Sequence, residues 1–481
     1  MYYTDSEVIA NTLRGTGTMS DLEIIEEEIK TFMASEKRKS MQQGISYMAG
    51  EHEITNRMRM AIGEGGKLIQ VQNAPNNRIV DNQYRRLVVQ KTQYFVGNPI
   101  VIQSENKEYE KLLRKLFSRK FLKLLNRICE NSLNCGIGWL YAYIDAGGKI
   151  KFKSFESQDC IPIWKDKEHE ELEKFIRMYH VDTYEGRQLK KIEKVEVYTK
   201  VGIDRYVLKN GKLEPDVDSP GGVYFGEIDE FGETSTFPWT KIPIIGFKYG
   251  LAEQPLIKRV KCLQDALNLI WSIYMNENEE DSGNTILIIE NYDGEDLGEF
   301  RRNLAAYRAV KVSTAEGARG NVRSLKIELN PENYKTIMSL LKKAIIENGM
   351  GYDAKDDKLG GNPNEMNLKS MYSDIDLDTN MIEMEFQSSL ELLCEVICEY
   401  FSFMRKGDFA TEIATFTFTR DVMMSTAESI QNVVTSIGAT SRETALAKHP
   451  WVSDVAVELE RLKKEQDADA EIYGLEVDKT E

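Results

Sequence analysis

Apolar positions change period several times along the chain, and each change predicts an element. From Leu22 to about Lys39 they recur at helical spacing among many charges, and from Arg78 to Val96 a second helical pattern places Val80, Tyr84, Leu87, Val88 and Phe95 on one side. Gly97-Asn98-Pro99 ends that pattern, because proline cannot continue the hydrogen-bond ladder. A third helix is expected from Glu108 to Leu133. Short alternating runs follow, "WLYAYID", "GKIKFKSFE", "KFIRMYHVDT" and "KVEVYTKVGIDRYVLKNGK", punctuated by Gly147-Gly148 and Asn210-Gly211. This is the signature of antiparallel strands and hairpins.

At Pro255 the helical period returns. Leu256, Val260, Leu263, Leu267, Ile270 and Tyr274 form a narrow seam on a helix reaching about Asn276, with Ile257, Ala266, Leu269 and Ile273 as a second apolar set. A small α/β insert comes next: strand-like "NTILIIE", helix-like "GEDLGEFRRNLAAYRAV" and strand-like "VRSLKIEL". Asn330 as N-cap and Pro331 at the first position open another helix, with Tyr334, Ile337, Met338, Leu341 and Ile345 apolar and Gly349 as its stop. Then comes "NGMGYDAKDDKLGGNPNE", residues 348 to 365, with four glycines, two lysines and three aspartates. Compact domains rarely hold so long a connection without a functional reason. Beyond it a single helix is expected from Met366 to about Met404, then a strand in "EIATFTFTRD". The last helices begin at a capping box of Thr440 and Glu443, and Val452, Val455, Leu459 and Leu462 line the final one.

With 481 residues the chain exceeds one ordinary core, and 41% hydrophobic with 29% charged residues suits an ordered, well-hydrated protein. The opening MYYTDSEVIANTLRG has no basic start or apolar core segment, and no run approaches a membrane span, so neither secretion nor insertion is expected. Six scattered cysteines predict reduced thiols in a cytoplasm, with Cys394 and Cys398 as small core residues one helical turn apart. A net charge of −16 opposes a static DNA clamp but suits a surface past which DNA slides.

Tests for chemistry find little. The glycine-rich stretch is no P-loop, since Asn362-Pro363 follows Gly360-Gly361 where that motif needs Lys-Ser or Lys-Thr. Asp374, Asp376, Asp378 and Glu385 match calcium-loop positions, but Thr379 stands where the tight turn needs glycine, which leaves a solvated acidic helix face. His52, His169, His180 and His449 make no H-E-x-x-H pair, and no serine sits in a G-x-S-x-G elbow. No catalytic residue, metal ligand or cofactor is expected.

Several phrases together resemble the portal proteins of tailed bacteriophages, in particular those of siphoviruses of Gram-positive hosts. They are "YMAGEHEITNR" (47–57), "NNRIVDNQYRRLVVQKTQYFVGNPI" (76–100), "FPWTKIPIIGFKYG" (237–250) and "SRETALAKHPWVSDVAVELERLKKE" (441–465), in the family's order over nearly the whole chain.

The resemblance implies an α+β, predominantly helical multidomain portal fold of wing, stem, clip and crown. An N-terminal helical arm would cover 1–40, the wing 41–250, the first stem helix 251–276, the clip 277–330 and the second stem helix 331–348. A tunnel loop would follow at 349–365, then the wing's long helix and strand at 366–425 and the crown at 426–481. It also implies a non-enzymatic ring of about twelve copies at the capsid portal vertex, assembled in the host cytoplasm, through which double-stranded DNA passes without sequence-specific binding. Expected partners are the large terminase subunit, a head-completion or adaptor protein, tail, scaffold and major capsid proteins, and no membrane. Loop residues Asp353, Lys355, Asp356, Asp357, Lys358, Gly360, Gly361 and Asn362 would meet DNA, the lysines touching phosphates and the acids keeping those contacts weak. Leu256, Val260, Leu263, Leu267, Ile270, Tyr274, Ile337 and Leu341 would build the stem, and Arg301, Arg302 and Arg308 the clip's docking surface. The competing reading is an enzyme of the packaging machinery, a nucleotide hydrolase or metal-dependent nuclease; a free DNA-binding protein is disfavoured by the charge.

Overall fold

Eleven helices can be placed in the computed structural model, which describes residues 20–62, 66–70, 74–185, 188–228, 234–236, 238–281, 285–290, 314–315, 318–319, 321–326, 330–353, 365–420, 426–437, 439–447, 449–452 and 455–473. They are α1 (Asp21–Ala34), α2 (Glu36–Ala49), α3 (Gln83–Val96), α4 (Lys107–Leu116), α5 (Arg119–Cys135), α6 (Ile257–Asp281), α7 (Pro331–Asn348), α8 (Glu365–Phe403), α9 (Thr426–Ser436), α10 (Arg442–Ala447) and α11 (Val455–Tyr473). The chain divides into two compact units, one of residues 1–49, 84–260 and 346–481, the other of 50–83 and 261–345.

The first unit owes its core to the alternating runs. Strands 212–215, 202–209, 188–198, 172–185 and 160–164 lie side by side in that order, and 222–223 adds to the 202–209 strand. Asn210 and Gly211, both at positive φ, make the expected hairpin turn. A three-stranded sheet of 244–248, 137–144 and 150–155 contributes Trp139, Tyr141 and Phe155, which pack with Phe175 and Tyr198. Ile25 and Ile29 of α1 cover Ile161, Ile176, Val195 and Val197, which explains the apolar stripe of an otherwise charged helix. Within this core, Glu196 accepts from Tyr198 Oη at 2.8 Å and Arg177 Nη1 at 3.0 Å. Burial pushes its carboxyl up, but Tyr198, Arg177 and Arg205 outweigh burial and hold it below the ordinary glutamate value.

Two expected helices are each split. Leu22 to Lys39 divides at Ser35, whose hydroxyl donates to Phe32 O at 2.7 Å and accepts from Arg38 N at 3.2 Å, capping one helix and starting the next. Glu108 to Leu133 divides at Phe117-Ser118, where Phe117 turns its ring onto Phe121 at 4.4 Å. The long helix after the loop is found as expected, at Glu365–Phe403.

The second unit holds the largest departure from local pattern. Residues 78 to 82 belong to no helix or strand, and α3 starts only at Gln83. The amides of Asn77, Ile79, Asp81 and Gln83 donate to Asn276 Oδ1 (2.6 Å), Ser272 Oγ (3.0 Å), Asn268 Oδ1 (3.0 Å) and Gln264 Oε1 (3.0 Å). Two residues of extended chain advance ~6.6 Å and four residues of helix ~6 Å, so alternate amides meet every fourth side chain of α6. Gln264, Asn268 and Ser272 are fully buried there. Main-chain donors that would otherwise open an extra helical turn are thereby used by side chains nearly two hundred residues away.

The insert between α6 and α7 is described in part: 285–290 pairs antiparallel with 321–326, as "NTILIIE" and "VRSLKIEL" predict. The helix expected at 294–310 and Arg301, Arg302 and Arg308 lie outside the described residues.

Candidate functional site

Helix α7 ends where the unusual connection begins, and its end is built with care. Asn330 caps its start, accepting from Asn333 N at 3.3 Å, as expected. The stop differs: it is Met350, not Gly349, that takes the left-handed conformation, at φ 50°. Gly351 N donates back to Ile346 O at 2.9 Å and Met350 N to Glu347 O at 3.0 Å, the paired bonds that close a helix C-terminus.

From there α3 takes hold of the chain. Lys91 Nζ donates to Met350 O at 2.8 Å, Gln90 Nε2 donates to Tyr352 O at 2.8 Å, and Gln90 Oε1 accepts from Tyr352 N at 3.1 Å. Arg86 pairs with Asp353 at 2.9 Å. Gly351 lies so close that a Cβ there would come within 2.4 Å of Leu87 Cδ2, so any side chain at this point of contact would have to displace the Leu87 methyl. Tyr352 packs its ring, tilted by 48°, against Tyr372 of α8 at 4.6 Å between centroids. Residues 350 to 353 are therefore fastened through main chain, side chain and shape together.

Behind this fastening sits a buried charge cluster. Lys91 Nζ also lies 2.6 Å from Asp378 Oδ2 of α8, and Arg259 of α6 reaches Asp378 Oδ1 at 2.8 Å. Tyr249 Oη donates to the same carboxylate at 2.8 Å, with the Arg259 guanidinium over its ring. The side chains of Lys91 and Asp378 are 0% and 1% exposed. Burial drives the Asp378 carboxyl up, but Lys91 and Arg259 prevail and hold it below the ordinary aspartate range. Burial pulls the Lys91 ammonium down, with Asp378 opposing. One carboxylate thus unites α3, α6 and α8 at the point where the connection leaves α7.

This corrects the reading of "DIDLDTN" as a solvated acidic face. Asp374 is exposed, whereas Asp378 is buried and Asp376 accepts from Tyr94 Oη at 2.6 Å. Among the described residues no group of three or more His, Cys, Asp or Glu side chains is arranged to hold a metal ion. The expected loop residues divide: Asp353 is fastened, while Lys355, Asp356, Asp357, Lys358, Gly360, Gly361 and Asn362 lie outside the described residues.

The seam of α6 is found only in part. Leu256, Ile257, Val260 and Leu267 are fully buried, while Leu263, Ala266, Ile270, Ile273 and Tyr274 are half-buried. Much of the remaining buried surface is the polar row from Gln264 to Asn276. On α7, Met338 and Ile345 are buried and Leu341 half-buried, whereas Ile337 is 37% and Leu340 62% exposed. Cys394 and Cys398 are buried core residues as expected.

Lys91, Asp378, Arg259, Arg86 and Gln90 were not foreseen, but a signal existed. Lys91 shares one helical face with Tyr84, Val88 and Phe95, and Asp378 shares one with Ile375, Ile382 and Phe386, all buried. Opposite charges at core positions of two helices point to a buried ion pair.

Residues 33–471 match the sequence profile described as "Phage portal protein, SPP1 Gp6-like". The chain is 28% identical over 445 residues to the portal protein of Bacillus phage SPP1, covering 90% of this chain and 84% of that one. It is 27% identical over 460 residues to the portal protein of Clostridium phage phiCD119, covering 92% and 96%. With a match running from α1 to α11, the chain belongs to the SPP1 Gp6-like family of phage portal proteins.

Proposed function

We propose that residues 354–364 form the loop that meets double-stranded DNA in the channel of a ring of about twelve copies, and that residues 350–353 are its fixed root. Portal proteins are structural, non-catalytic parts of the virion that serve packaging, and the family implies an oligomeric ring. The observation that carries the assignment is the contrast at Asp353. Four consecutive residues are tied to α3 over a buried charge cluster, and the next eleven include Lys355, Lys358, Gly360 and Gly361. A contact that must yield to a moving polyanion is served by a fixed attachment followed by a glycine-containing sequence, because glycine is the residue with the widest choice of backbone conformation. Lysines supply weak phosphate contacts and the neighbouring acids limit their strength.

In the same reading the exposed apolar residues Leu269, Ile337 and Leu340 are ring contacts, since a closed cyclic assembly uses two different faces of every copy. The insert, with Arg301, Arg302 and Arg308, docks the large terminase subunit and later the head-completion protein, and scaffold and capsid proteins surround the assembled ring. Removal of residues 355–361 tests the loop. Rings of unchanged copy number that no longer package DNA are expected, and normal packaging by such rings contradicts the assignment.

A further inference from the structure

The chain is acidic, yet one face is strongly basic. Between Lys107 and Arg127 it carries eight cations (Lys107, Lys111, Arg114, Lys115, Arg119, Lys120, Lys123 and Arg127) against two acids, an excess of six in a protein of net charge −16. The residues lie on α4 and α5, which bury Tyr109, Leu113, Phe121, Leu125 and Ile128 on one side and hold every one of these cations exposed on the other. Glu110 answers Lys107 and Arg114, and Glu156 answers Arg127. Lys111, Lys115, Arg119, Lys120 and Lys123 have no ion pair among the described residues.

We infer that this face binds the phosphate backbone of duplex DNA, at a place distinct from the channel loop. Two features favour DNA over an acidic protein surface. The exposed positions from 107 to 127 are lysine, arginine, glutamate or serine throughout, and the apolar residues between them are half-buried or buried, so no exposed aromatic or aliphatic side chain offers the anchor on which a protein interface relies. The cations also extend along two successive helices, up to ~31 Å of helical rise, the layout of a surface that follows a repeating polyanion. Portal proteins serve packaging, which makes duplex DNA the polyanion to test on this face.

Assembled rings of the full chain should be titrated with covalently closed circular plasmid, which cannot thread a closed channel and so reports only other surfaces. Each phosphate neutralised contributes about −0.9 to the slope of log affinity against log salt. Five free cations therefore predict a slope of about −4.5, an affinity loss of several hundred-fold between 50 and 200 mM salt. Replacing Lys115, Lys120 and Lys123 by Gln should make the slope shallower by about 2.7, while replacing the same three by Arg should leave it unchanged. Failure of wild-type rings to bind closed circles overturns the inference, as does an unchanged slope in the Gln variant. Loss of the ring in that variant also overturns it, because the face would then be a subunit contact. Each result can be told apart from failure of the loop assignment, since loop-deleted rings should bind the circles normally.

Discussion

Replacing Lys91 by Met removes the ammonium from the buried cluster while keeping a chain of similar length. Two contacts vanish, to Asp378 Oδ2 at 2.6 Å and to Met350 O at 2.8 Å. Breaking a buried pair costs about 3–5 kcal/mol because a charge is left without its partner. Here Asp378 keeps Arg259 and Tyr249, so the lower end applies, about 3 kcal/mol. Asp378→Asn should cost more, about 4–5 kcal/mol, since it strands an ammonium that is 0% exposed. Its loss should shrink as pH rises: the Lys91 pKa is already below its unfolded value, so the unfolded state binds the extra proton and stability climbs with pH. Arg86→Ala is the control, because the Arg86–Asp353 pair is 37% and 41% exposed and worth under about 1 kcal/mol. Urea midpoints at one protomer concentration, for both single variants, the double variant and the control, give the coupling directly. A Lys91–Asp378 coupling of about 2 kcal/mol or more is expected, and one below about 0.5 kcal/mol refutes the reasoning.

Three other outcomes follow from the same structure. Asn268→Leu should destabilise the second unit by about 2–3 kcal/mol in denaturant melts, because the Asp81 amide loses its acceptor at 3.0 Å on the fully buried Asn268; a change under about 0.5 kcal/mol contradicts the polar row's role. Gly44→Ala should prevent α2 from packing on α5, since its Cβ would sit 2.1 Å from Asn134 O, and soluble yield and thermal midpoint should both fall sharply. Asp378, Glu196 and Glu253 all have carboxyls held below their ordinary 3.8 or 4.5. A depressed folded pKa contributes stability that is complete above the unfolded value and disappears as pH falls through the folded one. The thermal midpoint should thus change little from pH 7 to 5 through these groups and drop below pH ~4; an unchanged midpoint at pH 3 would exclude them as acid-sensitive contacts.

Where packing follows one helix or one hairpin, local pattern was enough. The strands 137–144, 150–155, 172–185, 188–198 and 202–209, the helix opened by Asn330-Pro331 and the 39-residue helix α8 could be read from periodicity and turn residues, whereas the strand 160–164 was not. Where a polar side chain acts at long range, it was not. Residues 78 to 82 carry a helical apolar pattern but spend their amides on Ser272, Asn268 and Gln264, so contacts between distant segments override a local preference. Met350 takes the left-handed position despite a glycine on either side, while Gly351 sits where α3 approaches closely. Lys91 and Asp378 looked like surface charges by type, and only their helical positions betray their burial. The root of the loop was therefore hidden in residues usually assigned to the surface, while the loop itself stood out by composition.

The central claim, that residues 354–364 touch DNA inside the ring, is tested most directly by photo-crosslinking. A benzoylphenylalanine in place of Lys358, in rings stalled during packaging, should attach to the DNA on illumination. The same probe in place of Glu27, an exposed residue of α1, should not. Crosslinking at both positions or at neither, in complexes shown to hold DNA, contradicts the account.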